Sequence, residues 1–189
     1  IDPLHPMGVQ YTSGTTSRPK GVLWTHANAL WGARVNAVHE DLHADDTHLV
    51  YLPLFHTNAQ AYSILATLWA GSTAVVMPRF SASRFWPVSL RNHCTWTSLI
   101  PFCVKALMDI ERPSAHFYRL WGSAICEPPT DAHFGVKTIG WWGMTETITH
   151  GIVGEPNQPN IPLAIGRPAP EYDIRVVNVS VGGDFEASY

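Results

Sequence analysis

Charge is scarce in this chain of 189 residues. Asp, Glu, Lys and Arg together make up 14% of it, against about 25% in an ordinary soluble domain. Its few Lys and Arg residues are scattered, and the net charge is −3. No basic face therefore offers itself to a nucleic-acid backbone. Long apolar runs are missing too: none reaches the roughly 18–20 residues of a membrane span, and the first residues do not follow the pattern of a signal peptide. Cysteine is sparse. Cys94, Cys103 and Cys126 show no C-x-x-C spacing, and an odd, small count fits buried thiols in a reducing, cytoplasmic setting. Internal repeats and low-complexity tracts are absent as well.

What the chain has in plenty is apolar and aromatic bulk. Hydrophobic residues reach 46%, with eight tryptophans among them. That is enough for one sizeable core, or for part of a larger one. Low charge combined with many tryptophans fits a piece whose faces are covered by further segments.

Short β-prone runs alternate with helical patterns. Strands are expected at residues 9–11, 48–52, 73–77, 95–99, 118–121, 136–139 and 173–177. Helices are expected at 26–42 with Thr25 as N-cap, at 59–70 stopped by Gly71, from Ser81 or Ser83 to about Asn92, and at 104–110 after Pro101 in the first turn. Residues 155–162 read as loop and 181–189 as no clear element. Such alternation predicts an α/β fold with a mostly parallel sheet covered by helices. Ligands of such sheets bind beyond the carboxyl ends of the strands. The loop after Tyr11 and the segment after Ile139 are expected at such ends, the former joining two elements of an α/β unit.

The loop after Tyr11 reads Thr12-Ser13-Gly14-Thr15-Thr16-Ser17-Arg18-Pro19-Lys20-Gly21. Glycine lets backbone approach a ligand closely, hydroxyls and free N–H groups donate to phosphate, and Lys20 adds a point charge. The Walker pattern fails, because Pro19 stands at its second glycine and Gly21 follows Lys20. A Rossmann G-x-G-x-x-G is absent. The residues alone fit either an anion loop or a polar surface turn.

Two further stretches carry possible chemistry. In Trp141-Trp142-Gly143-Met144-Thr145-Glu146, an aromatic plane beside glycine could stack a base. The Thr and Glu oxygens suit a hard cation such as Mg²⁺; a core Trp pair with an exposed Glu is the plainer alternative. In Leu52-Pro53-Leu54-Phe55-His56, the histidine could be structural or could edge a pocket.

The three stretches, in this order and at this spacing, resemble the AMP-forming adenylating enzymes: acyl-CoA synthetases, luciferases and peptide-synthetase adenylation domains. Ser17 stands where the family commonly has glycine, and Trp142 where tyrosine is commoner. The resemblance implies that Thr12, Ser13, Gly14, Thr15, Thr16 and Lys20 hold the β- and γ-phosphates of ATP. It places Trp142 on the adenine, with Gly143 and Met144 beside the nucleotide, Thr145 on the α-phosphate and Glu146 on Mg²⁺. Gly122-Ser123-Ala124-Ile125 sits where the family has a Gly-Gly-Ala-Pro turn; Ser123 and Ile125 depart from it, so adenine contacts there would come from backbone. His56, Asn58, Gly122 and Gly143 would edge the acid pocket. Thr145, Glu146, Lys20 and His56 are thus the candidate catalytic residues. Residues 165–168, Ile-Gly-Arg-Pro, match a weaker family motif. The segments 80–86 and 55–60 look most like crotonobetaine/carnitine-CoA ligases.

The implied reaction joins a small carboxylic acid to ATP and then to coenzyme A. The resemblance also implies that residues 1–189 are a fragment of the large AMP-binding domain, without the small C-terminal domain and its lysine. Such a piece is expected to show weak activity, or to be a non-catalytic nucleotide-binding remnant. A remote alternative is the zinc-protease pattern His39-Glu40-Asp41-Leu42-His43. Against it, Glu40, Asp41, Asp45 and Asp46 read as a solvated helix end.

Overall fold

The computed structural model describes residues 2–12, 18–124 and 126–175, and the backbone of 177–179 and 185–187. Thr12 and Lys20 are thus visible, whereas Ser13, Gly14, Thr15, Thr16 and Ile125 lie outside the described residues.

The chain opens with a hairpin. β1 (Pro6–Tyr11) pairs antiparallel with β2 (Gly21–Thr25), Tyr11 facing Gly21. These strands form a two-stranded sheet of their own. The expected α/β unit across the loop is therefore corrected: the loop joins hairpin strands, and Thr12 N–H donates to the Lys20 carbonyl at 2.9 Å across its base.

Helix α1 (His26–His39) starts at a reciprocal cap. The Asn28 N–H donates to Thr25 Oγ1 at 3.2 Å, and the Thr25 N–H to Asn28 Oδ1 at 3.1 Å, which satisfies donors the first turn leaves free. The helix stops three residues earlier than expected, because Asp41 takes a left-handed φ of 52°. β3 (Thr47–Val50) is followed by a π-helical segment, Asn58–Leu65, that runs into α2 (Ala66–Ala70). The expected single helix at 59–70 is thus wound loosely for most of its length. Gly71 ends it at φ 70°, where a side chain would be strained.

Then come β4 (Thr73–Val76), α3 (Ala82–Arg91), β5 (Trp96–Leu99), α4 (Pro101–Met108, proline in its first turn), β6 (Leu120–Ser123), α5 (Pro128–Phe134) and β7 (Lys137–Gly143). β8 (His150–Val153) and β9 (Arg167–Pro168) follow. Among the described residues the main sheet has the order β4-β3-β5-β6-β7-β8-β9, parallel from β4 to β7 and antiparallel beyond. α5, β8 and β9 were not foreseen. Residues 173–175 are irregular, and the strand expected at 173–177 lies instead at Val177–Val179 (β10), paired with β11 (Phe185–Ala187) where no element was expected.

The sheet is covered by aromatic packing. On one side Phe85, Trp86, Tyr118, Trp121 and Phe134 form a buried cluster with Leu49 and Leu107. Elsewhere Trp96 and Trp141 stack at 5.6 Å with planes 10° apart, beside Ile139 and Ala66. All three cysteines are buried free thiols, and no described helix is long and apolar enough to cross a membrane.

Candidate functional site

β3 lies between β4 and β5, so the chain leaves β3 toward one edge and returns on its other side. The crevice at the carboxyl ends of β3 and β5 is the switch point where α/β sheets hold ligands. Residues 51–58 emerge there from β3. The Ser98 hydroxyl of β5 donates to Asn58 Oδ1 at 2.6 Å, and the Tyr51 hydroxyl donates to the Ser98 carbonyl at 2.8 Å. Asn58 is buried, while His56 is exposed at the rim, its Nδ1 accepting from the Asn58 N–H at 3.2 Å.

The strands flanking the first stretch and the loop after β7 come to the same place. The Gln10 carboxamide of β1 donates to the Phe55 carbonyl. The Thr57 hydroxyl lies 3.4 Å from the Thr145 hydroxyl, and the Trp24 indole N–H of β2 donates to the Thr145 carbonyl at 3.1 Å. Hairpin, β3 loop and post-β7 loop thus converge on Thr145. Lys20 is exposed beside Thr12, whose hydroxyl accepts the Lys20 N–H at 3.0 Å.

The 144–149 loop is braced from several sides. Asn36 of α1 donates from Nδ2 to the Ile148 carbonyl at 3.1 Å, and Tyr172 donates to the Thr147 carbonyl at 3.1 Å while meeting the Thr149 hydroxyl. Glu146 is exposed and edges a cleft of about 300 Å³ with Trp24, Asn28, Trp31 and Tyr172. Gly143 is needed for contact: a Cβ there would meet Tyr62 Oη at 2.3 Å and the Thr149 carbonyl at 2.6 Å. Burial pushes the Tyr62 phenol well up, with the nearby Tyr172 and Glu40 adding to it, so it stays a neutral hydroxyl.

Trp142 presents 45% of its surface. Its ring lies over Gly151, where a Cβ would come within 3.3 Å of it. One ring edge is held, and just under half of the residue's surface is open to solvent. Met144 is also exposed, as is Ala124 after β6; Ser123 is fully buried. Gly122 is buried against Trp141.

The zinc pattern does not assemble. α1 ends at His39, and the left-handed Asp41 separates it from the exposed His43, which lies near Asp41. Among the described residues no group of three His, Cys, Asp or Glu side chains could hold a metal. The solvated reading of the helix end also needs correction. Glu40 is fully buried, and Asp46 is buried beside Arg119 Nη2 at 2.6 Å. Burial alone would raise the Asp46 carboxyl, but hydrogen bonds from Arg119 and Thr95 with the guanidinium charge hold it below its usual range.

Gln10, Trp24, Asn36, Thr57, Ser98 and Tyr172 were not singled out from sequence. Each sits in an ordinary strand, helix or loop pattern, and only the tertiary fold turns it toward the loops.

Comparison with known proteins agrees with this architecture. The family model for AMP-binding enzyme matches residues 1–187. A crotonobetaine/carnitine–CoA ligase of Escherichia coli is 37% identical over 156 residues, covering 78% of this chain and 30% of that protein. One of Shigella flexneri is 36% identical over the same length and shares. The chain therefore spans about 30% of the length of the curated relatives it matches. Among solved structures, ATP-bound MatB of Rhodopseudomonas palustris superposes with a TM-score of 0.83 at 22% identity, over 98% of this chain and 38% of that one. The O-succinylbenzoate coenzyme A synthetase of Bacillus subtilis, in complex with ATP and magnesium ion, gives 0.75 at 24% identity, over 96% and 38%. With a family model spanning nearly its whole length and a fold to match, the chain belongs to the AMP-binding enzyme family.

Proposed function

We propose that this chain carries the nucleotide-binding part of an ATP-dependent acid–thiol ligase. A carboxylate would attack the α-phosphorus of ATP, forming an acyl-adenylate and releasing pyrophosphate. A thiol, coenzyme A in this reading, would then take the acyl group as a thioester and release AMP. The observation that carries the proposal is the convergence on Thr145. The hairpin and the loop after β3 are tied there by Trp24 and Thr57, and to each other by the Gln10–Phe55 contact.

The barrier to the first step is the approach of one anion to another, so catalysis is chiefly orientation and charge neutralisation. No general base is required. Thr12 and Lys20, with Ser13, Gly14, Thr15 and Thr16 between them, are assigned to the β- and γ-phosphates, and Thr145 to the α-phosphate. Trp142, Gly143, Met144 and the backbone of Ser123, Ala124 and Ile125 are assigned to the adenine side. Gly122, Gly143, His56 and Asn58 are assigned to the acid pocket. Glu146 fits magnesium: it is an exposed carboxylate with no ion pair among the described residues. Mg²⁺ takes one or two carboxylates together with phosphate oxygens. When bound, the ion would neutralise phosphate charge. Given the named relatives, an acid of the crotonobetaine or carnitine kind is the first to test.

The test is a titration of the folded chain with Mg·ATP, followed by tryptophan fluorescence. A saturable change that Trp142→Phe abolishes is expected. Silence from a sample shown to be folded would sink the nucleotide assignment. A second reading is nucleotide binding without turnover. Saturable binding with no acid-dependent pyrophosphate release would select it.

A further inference from the structure

Beneath the 144–149 loop lies a set of buried polar groups that the proposed reaction does not use. Glu40, His150 and Asn36 are each 0% exposed, and His39 is 7% exposed. Neither carboxyl oxygen of Glu40 has a hydrogen-bond partner within the described chain, nor do the ring nitrogens of His150, Nδ1 of His39 or Oδ1 of Asn36. Native interiors rarely leave such atoms orphaned, and here there are six on four residues. His150 Nε2 stands 3.6 Å from Glu40 Oε1, slightly longer than a hydrogen bond and within a small side-chain rotation of one.

The charge state follows from the surroundings. His150 stacks on Trp141 at 4.6 Å with planes 15° apart, and Tyr62 lies 4.2 Å away with its ring tilted by 46°. His39 lies 5.7 Å away, its Nε2 turned to Glu171 at 2.9 Å. The titratable groups facing Glu40 are therefore His150 from β8, His39 from α1 and Tyr62 from the π-helical segment, with Glu171 and Tyr172 behind them. Among the described residues no Lys or Arg pairs with it. A bare carboxylate would be a buried, unsolvated charge, and an imidazolium as deeply buried would be another. Burial drives the Glu40 carboxyl well up and the His150 imidazole well down, His39 adding to the latter. Both groups are then neutral, and the acid O–H is the natural donor to the imidazole nitrogen.

We infer that Glu40 is a positioning residue: an un-ionised acid hydrogen-bonded to His150, it fixes the first residue of β8 and so the loop bearing Thr145 and Glu146. His150 faces Gly143 across the β7–β8 ladder, so the pair closes the base of that loop, and Asn36 braces the loop itself through Ile148. The inference rests on the nucleotide-binding reading for its consequence, though not for its chemistry.

The chemistry is tested by infrared spectroscopy of the whole chain in D₂O at pH 7, with ¹³C-carboxyl glutamate. A carbonyl band of a protonated acid that shifts with the label, and is lost in Glu40→Gln, is expected. Its absence from the folded wild type, or its persistence in Glu40→Gln, overturns the inference. Should Glu40→Gln not fold, the wild-type band must instead vanish on unfolding in urea at pH 7, where an exposed glutamate ionises; a band unchanged by unfolding overturns it equally. The positioning role is read from Mg·ATP affinity. Glu40→Gln, which keeps a neutral donor, stays within about twofold of wild type, whereas Glu40→Ala loses about tenfold, the size of one lost buried hydrogen bond. Glutamine binding as weakly as alanine overturns the role. A protonated band in a wild type that binds no Mg·ATP overturns the nucleotide reading and the role with it, and leaves the neutral pair standing.

Discussion

The indole N–H of Trp24 donates to the carbonyl oxygen of Thr145 across 121 positions of sequence, at 3.1 Å. Trp24 is 3% exposed and packs with Ala61, Tyr62 and Ile148. It therefore joins the hairpin that holds Thr12 and Lys20 to the loop that holds Glu146. Trp24→Phe keeps most of the packing and removes the donor. The variant should lose about 1 kcal/mol of stability, the usual net value of one hydrogen bond. Its Mg·ATP affinity should fall about fivefold if the proposed phosphate site spans both, because its two halves are no longer tied. Unchanged affinity in a stable variant would show that hairpin and loop act independently.

Acid should unfold the chain partly through Asp46. Arg119 bonds both Asp46 and Asp41, and the Thr95 hydroxyl also donates to Asp46 at 2.6 Å. The Asp46 carboxyl is lowered in the folded state. Its contribution is thus present above the unfolded aspartate value of about 3.9 and is lost as pH falls through the lower folded value. Asp46→Asn should flatten the fall of Tm below about pH 4 and cost about 2 kcal/mol at pH 7, since the guanidinium is left half-paired. Thermal melts from pH 3 to 7 read both effects. An unaltered acid slope would place the acid-sensitive group elsewhere.

What could be read from sequence was what local chemistry decides. Thr25, Gly71 and Pro101 mark helix ends through their own side chains or backbone freedom, and each helix bound there was foreseen within a few residues. The parallel run of the sheet followed from apolar runs between helices. The misses have tertiary causes. β8, His150-Gly-Ile-Val, is too short to show alternation, and its pairing to β7 depends on a turn through Ile148, at φ 59°. Glu40 and Asp46 sit in an acidic run that looks solvated, yet Arg119, 73 positions beyond Asp46, and the aromatic walls around His150 take them inside. The three motif stretches, which carry the family resemblance, were legible because a motif keeps its signature in consecutive residues. Trp24, Asn36 and Tyr172, which hold those loops, were not, because a supporting contact leaves no local trace.

Zinc gives a sharp negative expectation. His39 is turned to Glu171 and His43 lies beyond the left-handed Asp41, on the exposed side. The chain should therefore bind no stoichiometric zinc after dialysis against the metal, and His39→Ala should not change the trace bound. A tight one-to-one zinc content that depends on His39 would refute this arrangement of the helix end.

Gly122 gives a test of the packing that underlies the site. It lies in β6 between Ser98 and Ile139. A Cβ there would stand 1.6 Å from the tip of the Trp141 ring. Trp141 cannot yield easily, being sandwiched between Trp96 at 5.6 Å and His150 at 4.6 Å, both nearly parallel to it. Gly122→Ala should then cost about 3 kcal/mol, at the upper end for overpacking a filled core, and lower the urea midpoint accordingly. Pairing it with Trp141→Phe, which shortens the clashing ring, should cost less than the sum of the two single changes, because the substitutions share one space. Simple additivity in that double-mutant cycle would mean that Trp141 is not what requires glycine at position 122.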